Sequence, residues 1–348
     1  MRKVERLQKV PKTKQRRHRL LAILALLMLS SCAPRDERAP VGIDSGPLHV
    51  VATFFPIADI VRQVGGHHVS VQVIVPADGD LHSFTPTVKQ MKLLQRADVV
   101  FMLGLDAEPF LQTMLRALGN RRPRVVELAE GCWTLPASEE HAHHHHSHHH
   151  HHHDHHTHHH HEHDHAHGEH EAHHHEEAVD PHVWLSLENA IRMTRNAQKA
   201  LSELDAAHAV DYQCNADTVI AQLKQLQQTL KARAATWRQK KFIAAHGAYR
   251  YLAEEAGLQQ VAVFEPMPGV EPSARWLRDL MNTARREKVQ VIFAAPPASS
   301  RLVEVVAADL GLPVYLVDPM ERMGDGFKES YQQRMMRNIE TLDRAMRW

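Results

Sequence analysis

From residue 48 onward the chain repeats one unit, a short apolar and β-branched run followed by a helical segment. The runs are "HVVATFF", "VSVQVIVP", "VVFMLG" and "RVVEL", then, far downstream, "KFIAAHG", "QVAVFEP", "VQVIFAA" and "PVYLVDP". Strands joined through helices return in the same direction, so this alternation dictates parallel sheets with helices on both faces. Between the two series lie "SLENAIRMTRNAQKALSELD" and "AAHAVDYQCNADTVIAQLKQLQQTLKARAATW", which read as long helices with little strand signal. The second, from about His208 to Trp237, is too long for an ordinary crossover and is expected to be a strut between two lobes. The predicted fold is therefore α/β, with two lobes, each a four-stranded parallel sheet flanked by helices, joined by one long linker helix.

The chain start obeys other rules. Residues 1–20 carry nine Lys or Arg, and "LLAILALLMLSSC" follows directly. A basic head, an apolar run too short to span a bilayer and small residues at its end describe an export signal. Leu29-Ser30-Ser31-Cys32 resembles a bacterial lipobox, which makes Cys32 the lipidated first residue after cleavage. Acyl chains contribute about 0.8 kcal/mol per buried methylene and would hold the protein at a membrane surface. The expected organisation is a signal peptide over 1–32, a tether over 33–47, a first lobe over 48–206, a linker helix over 207–239 and a second lobe over 240–348. The chain is expected to be exported, periplasmic or otherwise extracytoplasmic, membrane-anchored and monomeric.

Lys plus Arg equals Asp plus Glu at 41 each, and no nucleic-acid motif is present, so nothing points to a nucleic acid as partner. Of the three cysteines, Cys132 and Cys214 remain after Cys32; in an exported chain they either pair or stay as buried thiols.

Histidine is the unusual residue: 24 of the 32 fall between residues 141 and 175, interleaved with Asp154, Glu162, Asp164, Glu169 and Glu171. Of the eight others, His82 in "PADGDLHSFTP", His182 in "DPHVWL" and His246 in "FIAAHGAY" stand in loops at element ends, where α/β lobes present ligand-binding groups. Asp318 in "VYLVDPM" ends a strand in the same way. Three imidazoles and a carboxylate suit four-coordinate zinc. Taken singly each has a local reading: His82 or Asp318 as a cap or turn former, His246 as a histidine at a core edge. Their placement at equivalent strand ends of two lobes weakens that reading. His18, His49, His67, His68 and His208 are expected to be structural or solvent-facing.

In order and spacing, "ADGDLHSFTPT", "DPHVWL", "FIAAHGAYRYL", "FEPMPGVEPSAR", "QVIFAAPPASS" and "VYLVDPM" resemble the zinc-binding branch of bacterial metal-ion substrate-binding proteins that serve ABC importers. The resemblance spans residue 48 to the C-terminus. It implies a zinc ion, as transported ligand, bound between the lobes by His82 and His182 from the first and His246 and Asp318 from the second. It leaves the fourth position open between Asp318, a water and a loop residue. Members that carry manganese look to have Glu where this chain has His246, and nitrogen donors favour zinc over manganese. The implied partner is an ABC permease. Glu265 and Glu271 are candidates to orient imidazole N–H groups, against the plainer reading of solvent-facing acids.

Such relatives insert a His- and acid-rich loop before the "DPH" motif, where residues 139–177 fall. So polar a segment cannot bury enough surface to order itself, and its imidazoles are suited to several weakly held ions. Two other functions compete. A zinc hydrolase would also use three histidines, but no H-E-x-x-H cluster is present. A storage or adhesin-like surface lipoprotein would bind metal through the tract alone.

Overall fold

The computed structural model describes residues 46–120, 122–137, 178–265, 272–296 and 300–348. The expected signal peptide with Cys32, most of the expected tether, Glu271 and the histidine tract lie outside the described residues.

All eight predicted runs are strands. In the first lobe they are β1 (Leu48–Ala52), β2 (Val69–Val73), β3 (Val99–Met102) and β4 (Arg124–Glu127). In the second they are β5 (Lys241–His246), β6 (Gln259–Glu265), β7 (Ile292–Ala294) and β8 (Val314–Leu316). Each set forms a parallel four-stranded sheet, in the orders β2-β1-β3-β4 and β6-β5-β7-β8. The two orders are equivalent, and each reverses direction beside its first strand, so each lobe opens a crevice at the carboxyl ends of its strands.

The crossover helices are α1 (Phe55–Gly65), α2 (Val88–Gln95) and α3 (Pro109–Ala117) in the first lobe. They are followed by α4 (Leu187–Leu204) and α5 (Ala209–Ala234), then α6 (Arg250–Ala256), α7 (Ala274–Arg286), α8 (Arg301–Leu310) and α9 (Tyr331–Met346). Their starts are written locally. Ser186, Ser273, Ser300 and Ser330 each accept a backbone N–H of the first turn of α4, α7, α8 and α9. Gly257 and Gly311 end α6 and α8 in the left-handed conformation that closes a helix.

The predicted linker helix is α5, preceded by a 3-10 turn over Ala206–His208. It is no bare strut. Tyr212, Ala216, Val219, Leu223, Leu226 and Leu230 form a buried stripe at helical spacing, packed against α4, α1 and α9. The C-terminal helix α9 also returns to the first lobe. Tyr331 N donates to Asp59 Oδ2 at 2.7 Å, and Gln332 exchanges hydrogen bonds with Gln63 at 2.9 and 3.0 Å.

One large apolar core therefore runs through the first lobe, α5 and one face of the second sheet, and a smaller one fills the other face beneath α7 and α8. Strand alternation divides them: Phe242 and Ala244 of β5 join the large core, Ile243 the small one. Pro47–Trp348 forms a single compact unit. Cys132 and Cys214 are not joined in a disulfide, and burial pushes the Cys132 thiol up to about 12, against the pull of Arg192. No described helix is long and apolar enough to cross a membrane.

Candidate metal centre

Four loops at strand ends deliver side chains to one point. His82 follows β2 in a turn that Asp80 organises, its Oδ1 accepting the backbone N–H of His82 at 3.0 Å and of Ser83 at 3.2 Å. Leu81 is buried beside it and anchors the loop. His182 lies beyond β4 in "DPHVWL", most of whose residues have a use. Asp180 Oδ1 takes both the backbone N–H of His182 at 3.0 Å and its Nδ1 at 2.7 Å. Val183 and Leu185 are core residues. Trp184, fully buried against Phe54, donates Nε1–H across the lobes to Pro319 O at 2.8 Å. His246 closes β5, and β6 brings Glu265 into register beside it.

The fourth side chain is Glu321, from the loop after β8. Its Oε1 stands 3.4 Å from His82 Nε2, 3.2 Å from His182 Nε2 and 3.0 Å from His246 Nε2. The ligand atoms of these four residues all lie within 4.8 Å of one another, and this is the group of its kind found among the described residues. His182 and Glu321 are buried, while His82 and His246 keep partial exposure on the side open to solvent.

Asp318 stands outside that group. Its Oδ1 accepts the backbone N–H of Met320 at 2.8 Å, its Oδ2 lies 3.7 Å from Arg334 Nη1, and Asn338 clasps its backbone N–H and C=O. Met320 is fully buried with φ of 61°, in the left-handed region that a residue with a side chain enters at a cost of about 1 kcal/mol or more. Asp318 thus builds an Asx-type turn with Pro319 and Met320, and the turn carries the chain to Glu321. The sequence favours the acid at the strand end while leaving a loop residue open as the alternative, and Glu321, three residues on, is a residue of that loop. The signal was in "VDPME": an Asp-Pro pair spends its carboxylate on a turn, so the next acid is the one projected.

The electrostatics follow from burial and neighbours. Burial alone would raise the Glu321 carboxyl, but His246 first, with His182 and His82, holds it well below the usual range. Burial alone would lower His182; the Asp180 carboxylate, then Glu321, outweighs it and lifts the imidazole to about 9. Asp180 is held low by His182 and Arg250 against the effect of its own burial. Glu265 is shifted upward by partial burial, with His246 opposing. Once a cation displaces the protons, the three Nε2 atoms and one anionic oxygen would form a nitrogen-rich donor set, and His182 already has its Nδ1 held by Asp180, as metal-bound imidazoles usually do.

Comparison with known proteins gives the same outline. The family model described as "Zinc-uptake complex component A periplasmic" matches residues 50–345. A Treponema pallidum protein named for metal binding is 32% identical over 298 residues, covering 86% of this chain and 87% of its own length. The Bacillus subtilis protein named "High-affinity zinc uptake system protein ZnuA" is 28% identical over 319 residues, covering 91% of this chain and 93% of its own length. The chain spans 59% of the Streptococcus pneumoniae zinc-binding lipoprotein AdcA, with 28% identity. Among solved structures, the Pseudomonas aeruginosa substrate-binding protein FpvC in complex with Mn2+ superposes with a TM-score of 0.71 at 26% identity, over 86% of this chain and 98% of that one. With an α/β two-lobed fold, inter-lobe donors and a match across residues 50–345, this chain belongs to the ZnuA family of solute-binding receptors.

Proposed function

We propose that the chain is the zinc-binding receptor of an ABC-type uptake system, holding the ion between its lobes and delivering it to a membrane permease. The observation that carries this reading is the convergence of His82, His182, His246 and Glu321, two loops from each lobe, within 4.8 Å. Small side-chain movements around a cation would give bonds of roughly 2.0–2.2 Å, and three imidazoles with one carboxylate complete tetrahedral zinc. Manganese prefers oxygen donors, which argues for zinc as cargo even though FpvC has been solved with Mn2+. Asp318 has no part as a ligand in this proposal; it shapes the turn that presents Glu321.

Four protein donors leave no open position for the activated water of a zinc hydrolase, so no bond is broken and the ion is the product delivered. A cleft ligated from both sides also supports transport over storage, because parting the lobes removes half the donors at once. The fuller picture includes a monomer anchored through lipidated Cys32 outside the cytoplasm. In it the 139–177 tract either collects zinc for the cleft or senses its abundance.

The test is metal analysis of a chain lacking residues 139–177. One zinc per molecule is expected, removed by combined alanine substitution of His82, His182 and His246. Tight zinc surviving in that variant would sink the proposal, and a cleft that retained only manganese would reassign the cargo.

A further inference from the structure

Arg250 grips the residue that aims one of the four donors. It opens α6, four residues after His246, and belongs to the second lobe. Its Nη1 donates across the lobes to Pro136 O at 2.7 Å and to Asp180 Oδ2 at 3.3 Å. Asp180 is fully buried, and its other oxygen holds His182 through Nδ1 and through the backbone N–H. Its main chain is pinned as well: its N–H donates to Leu135 O at 2.9 Å, and its C=O accepts from Tyr251 Oη at 2.5 Å.

We propose that Arg250 is a positioning residue that fixes, from the opposite lobe and through Asp180, the angle and donor strength of His182. This rests on the reading of His182 as a zinc ligand. The physical reason is carboxylate geometry. With Oδ1 on the imidazole and Oδ2 on the guanidinium, the Asp180 side chain has one orientation, and the ring it holds keeps Nε2 toward the cleft. Without the arginine, Oδ2 loses its charged partner in a buried setting, and the carboxylate is drawn into other contacts that turn the ring with it. Because the arginine and the aspartate sit on different lobes, His182 is fully aimed only while the lobes are seated. Parting them loosens a first-lobe ligand as it withdraws the two second-lobe ligands, so zinc release and lobe separation become one event.

The test compares Arg250→Met, Arg250→Gln and Arg250→Lys by competition with a chromophoric zinc chelator in the full chain lacking 139–177. Removing an outer partner of a metal-bound imidazole weakens binding about 10- to 100-fold, the loss expected for Met and Gln, with faster zinc release. One nitrogen makes both contacts, so the Lys ammonium is expected to restore affinity to within about threefold. Glu255 is the control for an inter-lobe contact that does not reach Asp180: on the same helix, it caps α4 across the lobes through Ser186 Oγ, Leu187 N and Glu188 N. Glu255→Ala is expected to lower the melting temperature and leave zinc affinity within about threefold, the scatter of an uncoupled site. The proposal is overturned if Arg250→Met and Arg250→Gln bind as wild type, if Lys is as weak as Gln, or if Glu255→Ala weakens zinc equally. Should Met fail to fold, Gln and Lys decide. His182→Ala separates the two levels: if it keeps tight zinc the ligand set is wrong, whereas its loss beside an unaffected Arg250→Met overturns the arginine's role alone.

Discussion

The described residues hold two histidine trios that differ in how their rings face one another. In the cleft, His82, His182 and His246 come from three loops and turn their Nε2 atoms onto one oxygen of Glu321. At the opposite, amino-terminal end of the first sheet, His67, His68 and His208 lie ring against ring, with centroids 3.8 Å apart in each successive pair, tilted by 40° in the first and stacked at 22° in the second. There each carboxylate serves one ring: Asp211 meets His68 Nε2 at 2.8 Å and Asp205 meets His208 Nδ1 at 2.7 Å. A metal must lie in the plane of each ring it binds, and the stacked His68 and His208 rings, only 22° apart in inclination, direct their nitrogens outward in separate planes. The cleft rings, tilted 52 to 78° to one another, can share a cation. Proximity of histidines is therefore not a site; convergence of their Nε2 atoms on one point is.

The largest effect should separate the trios outright. In a chain lacking 139–177, replacing the cleft trio with alanine is expected to weaken zinc binding by about a thousandfold or more, about 4 kcal/mol. Replacing His67, His68 and His208 should leave it within about threefold, the scatter expected of independent sites. Equal losses in a chelator competition titration would erase the distinction.

The next effect concerns the acids that complete each arrangement. Glu321→Gln removes the anionic donor and is expected to weaken zinc about 10- to 100-fold. Asp318→Ala should act on folding, lowering the melting temperature by about 2–4 °C for a loss near 1 kcal/mol, because the left-handed Met320 loses its turn bond. A reversal, with Asp318 governing affinity and Glu321 only stability, would return the ligand role to the strand-end acid.

A third, smaller effect is pH dependence, and its sign follows from His182. Its folded-state pKa is raised from 6.5 to about 9, so the folded, chelator-treated chain holds that proton more tightly than the unfolded chain. The stability this contributes is complete below about 6.5 and lost as pH climbs through about 9. The chelator-treated protein should therefore melt lower above pH 9 than below 6.5. Zinc, which displaces the same proton, should bind more tightly across that interval and level off beyond it. His182→Gln should flatten both slopes in thermal melts and titrations, and an unchanged slope would remove His182 from the account.

The smallest effect belongs to the stack. Asp211 is more than half exposed, so Asp211→Ala is expected to change stability by no more than about 1 kcal/mol and zinc affinity not at all. A large fall in melting temperature would show that the stack is a structural clasp between the turn before β2 and the start of α5.

Much of this was legible beforehand. The eight strand runs, the serine-capped helices and the long α5 follow from patterns that act within a few residues of chain. The three cleft histidines stand out because each lies in a loop at an element end. The same reading set His67, His68 and His208 aside for their positions at strand starts and on the linker, although nothing in their chemistry distinguishes them. Between Asp318 and a loop residue such as Glu321 the sequence does not choose, because whether a carboxylate faces its own backbone or a distant imidazole is a matter of turn geometry.

By itself, then, the sequence determined the alternation of strand and helix, the parallel sheets and the candidate donors, since hydrophobic period, capping and turn chemistry are local. The tertiary structure alone decided that Glu321 meets His82 across 239 residues of chain, that Arg250 reaches Asp180 from the other lobe, and that one trio converges while the other stacks. Those outcomes depend on how two sheets are seated on α5 and α9, a balance of packing summed over the whole core that no short stretch of residues encodes.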